Sequence, residues 1–205
     1  MHRYKSILLF GAPGAGKGTQ GKVLGTIPGF YHCACGDVFR NLDIKSELGS
    51  VFYEYSSRGE LVPDEVTVKM WAENISAHSV LGDYKPTKDL LVLDGIPRTI
   101  EQAKLMDEYI DVLSVIHLSC NDEEEMIQRL RRRALKSNRH DDADTKVIRH
   151  RWEVYKQETA PVLQHYSKEM VVDIDSLNSP AQVLHDILNV VVPAQNAHFA
   201  RFVDD

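Results

Sequence analysis

The chain has 205 residues, 43% hydrophobic and 26% charged, ordinary values for one globular domain with a sizeable core. Its net charge of −6 argues against a general nucleic-acid binder, and no apolar run approaches the roughly 18 residues of a membrane span. Three cysteines (Cys33, Cys35, Cys120) do not make a disulfide framework, and the first apolar segment starts too soon after Met1 for a signal peptide, so the expected setting is reducing and cytoplasmic.

Ser6-Ile-Leu-Leu-Phe10 reads as the first strand and Lys17–Leu24 as the first helix. Between them lies Gly11-Ala-Pro-Gly-Ala-Gly-Lys-Gly-Thr19. Strand, glycine-rich turn and helix start are the context a phosphate-binding loop needs. Its glycines let successive N–H groups turn inward toward phosphate oxygens, and the helix N-terminus adds positive charge at the same place. Lys17 supplies a mobile full charge. The generic signature has Ser or Thr directly after the lysine; here Gly18 intervenes, so the magnesium-side hydroxyl is assigned to Thr19.

Further along, Phe30–Cys33 is expected to be a second strand, Cys35–Arg40 to open a helix, and Gly49–Ser57 to form another short one. Pro63 and Asp64 start a helix to about Ser79, with Val66, Met70 or Trp71, and Ile75 on its buried side. Asp89–Asp94 is a continuous apolar run ending in an acid, which suits a parallel strand that delivers a carboxylate beside a bound metal. Thr99 caps a helix to about Ile110, Val112–Ser119 is the next strand, and Asp122–Leu135 is helical. A long helix from about 144 to 167 is expected to kink or restart at Pro161, Val171–Ile174 is a fifth strand, and a last helix runs from Pro180 to about Val191. Residues 193–205 read as a polar tail.

Strand and helix alternate as in a doubly wound parallel sheet, whose ligands sit at the carboxyl ends of the strands. The glycine-rich loop, Asp37, Asp94 and Arg98 all follow strand ends and should meet in one crevice. Residues 129–151 hold nine Lys or Arg against three Asp, +6 in a chain whose remainder is −12. Such an island points to a local anionic ligand unless it is merely a solvated helix face.

Together these motifs resemble the adenylate kinases, nucleoside monophosphate kinases of the short-lid form, from Ile7 to about Ile187. The pieces that carry the resemblance are Gly11–Gln20, Leu93-Asp-Gly-Ile-Pro-Arg-Thr99 with Gln102, and Arg139 followed by Asp141-Asp142. It implies a P-loop NTPase fold with a five-stranded parallel sheet, read as one domain. The core would be about 1–34, 65–133 and 143–192, the NMP-binding part about 35–64, and the lid about 134–142. The implied reaction is reversible, Mg-dependent, direct in-line transfer from ATP to AMP by a monomer with no nucleic-acid or membrane partner. Gly14, Ala15, Gly16, Lys17, Gly18 and Thr19 would cradle the ATP phosphates, with Arg129 and Arg133 on the ATP side and Leu177 at its adenine. Cys35, Arg40, Glu60, Leu61, Val62, Gly95, Arg98 and Gln102 fall where the family binds AMP. Arg139 and Arg151 match arginines that close over both substrates. Lys17, Arg98, Arg133, Arg139 and Arg151 would stabilise the transferring charge, and Thr19 and Asp94 would face Mg, the latter through water. No cysteine lies in the lid, so no structural zinc is expected.

Four departures stand out. Cys35 replaces the usual Thr or Ser, which removes a hydroxyl near the acceptor base. Cys33-Ala-Cys35 can be read as a redox or metal pair, though small reduced wall residues are the preferred reading. Ile96 replaces an aromatic. One extra residue separates Arg139 from Arg151, leaving Arg149 as a rival for Arg151; Arg131, Arg132 and Arg149 are otherwise read as solvated. A UMP/CMP kinase is the alternative within the enzymes, and a non-catalytic P-loop module is the alternative outside them.

Overall fold

The computed structural model describes residues 3–137 and 144–199, without the side chains of residues 136 and 137. Five parallel strands, β1 (Tyr4–Gly11), β2 (Phe30–Ala34), β3 (Leu90–Asp94), β4 (Ile110–Ser119) and β5 (Val171–Asp175), form one sheet in the order β2-β3-β1-β4-β5. The apolar runs explain the layering. Alternate residues of β1 and β3 serve opposite cores: Leu8, Phe10, Leu91 and Leu93 on one face, Ile7, Leu9, Leu90 and Val92 on the other. Both faces are covered, as parallel sheets require. The first core takes α4 (Asp64–Leu81) and α5 (Ile100–Met106); the second takes α1 (Lys17–Leu24) and α8 (Pro180–His198).

The remaining helices are α2 (Cys35–Arg40), α3 (Glu47–Arg58), α6 (Glu123–Ser137) and α7 (Thr145–Val154). Three expected boundaries move. The α5 helix stops at Met106 because Ile110 already belongs to β4, where it pairs with Tyr4. The helix expected over 144–167 breaks after Val154 into a wide π turn, Tyr155–Thr159, and a tighter 3-10 turn, Ala160–His165, around Pro161. The last helix does not end near Val191 but runs through Pro193 to His198, so most of the expected tail up to that point is helical. Along α4, Val66 is only half-buried, and Thr67, Val68, Met70, Trp71 and Ile75 face the core.

Close packing under the glycine-rich loop depends on Gly21. A Cβ there would sit 2.2 Å from Nε2 of His32 on β2. Elsewhere in a helix, Gly→Ala gains up to about 1 kcal/mol; overpacking of this kind costs about 1–3 kcal/mol. Gly21→Ala is therefore expected to lower the thermal midpoint. In a His32→Ala background the same change should become neutral or stabilising, and equal destabilisation in both backgrounds would reject the contact as the cause.

Candidate active site

The order of the strands places the site. β1 and β3 are neighbours, in register Leu9↔Asp94, so the glycine-rich loop leaves the sheet beside the Asp94 carboxylate. The strand order reverses at β1, with β3 and β2 added on one side and β4 and β5 on the other, and this is the switch point at which such sheets bind ligands. Gly14 and Gly16 take φ of 92° and 97°, and a Cβ on Gly14 would meet the Met126 carbonyl at 2.9 Å. Only glycine accommodates that curl. Ala15 is buried. The first turn of α1 holds no acidic side chain and its N-terminus has no side-chain cap, so its positive end is not neutralised from within.

Lys17 is folded onto this loop, donating to the carbonyls of Gly11 (2.6 Å) and Ala12 (3.1 Å). Burial lowers its pKa to about 8; Asp94 raises it, and Arg98, Arg133 and Arg151 lower it. Burial alone would push the Asp94 carboxyl up, but His32, Lys17 and Arg98 together hold it below the usual carboxylate range. His32 lies 3.9 Å from Asp94, and its Nε2 is buried with no hydrogen-bond partner among the described residues. Sequence reasoning missed His32, since nothing local marks a strand residue as lying beside a carboxylate of the next strand.

A Cβ at Gly18 would lie 3.4 Å from Asp94 Oδ2, in van der Waals contact, so the start of α1 stands against that carboxylate; Thr19, the next residue, is exposed. A hydroxyl and a carboxylate, both hard oxygen donors, suit Mg²⁺.

One crevice is lined by Lys17, Cys35, Arg40, Glu60, Leu61, Val62, Gly95, Arg98, Gln102 and Arg151, all of them singled out in the sequence. Arg98 donates from Nε to the Gly95 carbonyl at 2.9 Å, which fixes the guanidinium over the turn after β3. The Ile96–Pro97 peptide in that turn is cis. Burial lowers the pKa of Arg98; Arg151 and Arg40 lower it further, against Cys35 and Asp94. Arg40 pairs with Asp37 one turn back on α2. Glu60 is held by Arg58 at 2.9 Å, and Val62 is buried. Burial pushes the Cys35 thiol up to about 12, and Cys33 likewise, so both are thiols at neutral pH. Lys17, Arg40, Arg98 and Arg151 around one crevice give it the positive field that phosphate groups seek.

The structure distinguishes Arg151 from its rival. Arg151 lines the crevice, whereas Arg149 points away and pairs with Glu124 at 2.6 Å. Residues 149 and 151 leave α7 in different directions because two positions are 200° apart on a helix. Arg131 and Arg132 are exposed, on Thr145 and Gln128 respectively. Arg129 reaches the opposite side, donating to the Ser176 carbonyl at 2.9 Å and to Glu125 at 3.0 Å. It thereby ties α6 to the loop that carries the half-exposed Leu177. Arg133 is near enough to Lys17 to affect its charge. Arg139, Asp141 and Asp142 lie outside the described residues.

Other residues in the crevice were not expected. Phe39 and Phe52 stack at 5.0 Å and both line it, joining α2 to α3. Tyr155 and Thr159 line it from the π turn. The spacing Arg151–Tyr155 is one helical turn and was readable as a shared face; the aromatic pairing, thirteen residues apart across a loop, was not.

A parallel sheet with a glycine-rich loop at its switch point and cations around the adjoining crevice places the chain among the P-loop nucleotide-binding α/β proteins. Against known proteins, the family model described as Adenylate kinase matches residues 9–171. The chain is 37% identical over 188 residues to the adenylate kinase of Kocuria rhizophila, covering 89% of this chain and 96% of the relative. It is 34% identical over 194 residues to that of Flavobacterium psychrophilum (90% and 98%), and 39% identical over 170 residues to that of Parabacteroides distasonis (80% and 85%). The chain belongs to the adenylate kinase family.

Proposed function

We propose that this chain is an ATP:AMP phosphotransferase, moving the γ-phosphoryl group of ATP reversibly onto AMP to give two ADP. The observation that carries the proposal is that one crevice is lined by Lys17, Arg40, Arg98 and Arg151 together with Gly11 and Pro13 of the glycine-rich loop and the buried Gln102. A donor triphosphate on the loop and an acceptor monophosphate on Arg40 and Arg98 would present their phosphates to each other across those cations.

Such transfer asks little covalent chemistry of the protein. It needs the two phosphates in line, the moving charge neutralised and water excluded. The Gly14–Thr19 backbone and Lys17 hold the donor, with Arg129 and the loop at Leu177 on its adenine side. Arg98 and Arg40 bind the acceptor's phosphate with paired N–H donors. Cys35, Gly95, Gln102 and the Glu60–Val62 segment wall the acceptor's nucleoside. Arg151 and Arg133, with Arg139, meet the charge in transit. Thr19 and Asp94 would hold Mg²⁺, Asp94 through water, and the ion when bound neutralises charge on the β- and γ-phosphate oxygens. Residues 35–64 and 134–142 are the parts read as closing over the substrates, which keeps water from taking the phosphoryl group.

The test is ADP formation from Mg·ATP with AMP, UMP, CMP, GMP or no acceptor. AMP should support turnover at least about tenfold better than the other three. Preference for UMP or CMP would replace the acceptor assignment, and ATP binding without turnover on any acceptor would replace the enzyme reading.

A further inference from the structure

We propose that Asp64 sets the enzyme's choice between 6-amino and 6-oxo purine acceptors by locking the side-chain amide of Gln102 in one orientation. The inference rests on the reading above that Gln102 walls the acceptor's nucleoside.

Gln102 is 1% exposed and yet lines the crevice. Both ends of its amide are engaged. Oε1 accepts from the backbone N–H of Arg98 at 2.7 Å, and Nε2 donates to Asp64 Oδ1 at 2.9 Å. The same Asp64 oxygen accepts from the Thr99 hydroxyl at 3.0 Å, and Thr99 Oγ1 in turn accepts from the Gln102 backbone N–H at 3.0 Å. Asp64 stands in the first turn of α4, and Thr99 caps α5, so the ring of bonds joins two helices.

These partners are of fixed polarity. A backbone N–H can only donate, and a carboxylate can only accept. Turning the amide over would set its oxygen against the Asp64 oxygen and its NH₂ against the Arg98 N–H. Both contacts would then be repulsive, and two hydrogen bonds, one of them charge-assisted, would be lost. The amide that faces the crevice is therefore oriented by the protein before any ligand arrives.

Orientation decides which base fits. An amide has two N–H donors and two acceptor lone pairs, so Gln102 keeps one of each for a ligand. A 6-amino purine offers a donor at N6 and an acceptor at N1; a 6-oxo purine offers the reverse, an acceptor at O6 and a donor at N1. For a ring seated in one pose, changing from one to the other requires the amide to turn over. A locked amide leaves the wrong purine with unpaired buried polar groups, the kind of mismatch on which strong discrimination rests. Thr99 holds the carboxylate that holds the amide, and Asp64 itself need not touch the substrate. Asp64 is a positioning residue.

The experiment measures kcat/KM for AMP and for IMP in the wild type, Asp64→Asn, Asp64→Ala and Gln102→Ala, with thermal melts of each. Asn keeps the shape of the side chain but can donate as well as accept, so the AMP:IMP ratio should fall about tenfold, and at least as far in Asp64→Ala. KM for ATP should stay within about twofold. A ratio unchanged in both Asp64 variants, while Gln102→Ala lowers it, overturns the inference and leaves the reading of Gln102 intact. A ratio unchanged in Gln102→Ala overturns that reading, and the inference with it. If the Asp64 variants fail to fold, Thr99→Val takes their place, with Thr99→Ser as the control that keeps the hydroxyl. A fall in the ratio with Val but not with Ser supports the lock, and no difference between them rejects it.

Discussion

Replacing Arg98 by Ala is expected to cut kcat/KM for AMP by about 10³–10⁵, or about 4–7 kcal/mol of transition-state stabilisation. The magnitude follows from how the side chain is held. Its Nε is committed to the Gly95 carbonyl at 2.9 Å, so the two Nη groups keep one direction and are not searching for it when substrate binds. A fixed fork of donors is what bidentate phosphate binding needs. Arg98→Lys retains a charge but no fork, and should recover only part of the loss. Stability should move the other way. Burial and the neighbouring Arg151 and Arg40 disfavour the Arg98 charge, so its removal relieves repulsion. The thermal midpoint of Arg98→Ala is expected to equal or exceed that of the wild type, as for residues kept for function at the fold's expense. Activity within tenfold of wild type, or a loss explained by unfolding, would refute this role. Steady-state kinetics and calorimetry on one preparation decide it.

Lys17→Met should lower kcat by about 10²–10³, or about 2.7–4 kcal/mol, the size of losing one preorganised donor to developing charge. Methionine fills the same space, so the loop geometry should persist. The pH dependence is more specific to this chain. The ammonium has a pKa of about 8, lowered chiefly by burial. It must be charged to attract a polyphosphate, so above about pH 8 binding has to draw a proton from solution. The Kd for ATP is then expected to rise toward tenfold per pH unit above about 8 in the wild type and to stay flat in Lys17→Met. Titration calorimetry in two buffers of different ionisation enthalpy reads the proton uptake directly. For stability the sign is opposite to that of a raised lysine. Between about 8 and 10.5 the unfolded chain holds the extra proton, so the cost of burying the charge is full below pH 8 and fades as pH rises through that window. A Kd that is level from pH 7 to 9.5 would reject the depressed lysine.

The sequence by itself determined the parts that depend on near neighbours. The five strands were legible because each is a short, mainly apolar run bounded by turns, and each was found within a few residues of its end. The glycine-rich loop was legible because its chemistry is backbone chemistry, written in glycines and one lysine between a strand and a helix. The Thr99 cap was legible too, since an N-cap bonds three residues ahead, and its side chain does accept from Gln102 N.

Tertiary structure decided the rest, for three physical reasons. Long-range anchoring overrode local propensity at the C-terminus: Pro193 removes a donor from α8, yet Val183, Ile187 and Val191 are buried on the sheet side and Gln195 bonds the Gly29 carbonyl at 2.9 Å, so the helix continues. Helix phase separated Arg151 from Arg149, a choice that the extra residue after Arg139 put in doubt and that the spacing to Pro161 had favoured for Arg151. Strand order and helix packing created partnerships between residues far apart in the chain, such as His32 with Asp94 across neighbouring strands and Asp64 with Gln102 across two helices. Asp64 shows the limit most clearly. In the sequence it is an acid at a helix start, complete in itself as a partner of the helix dipole; only the packing of α4 on α5 brings it to an amide 38 residues on, because hydrogen bonds depend on distance in space and carry no trace of distance along the chain.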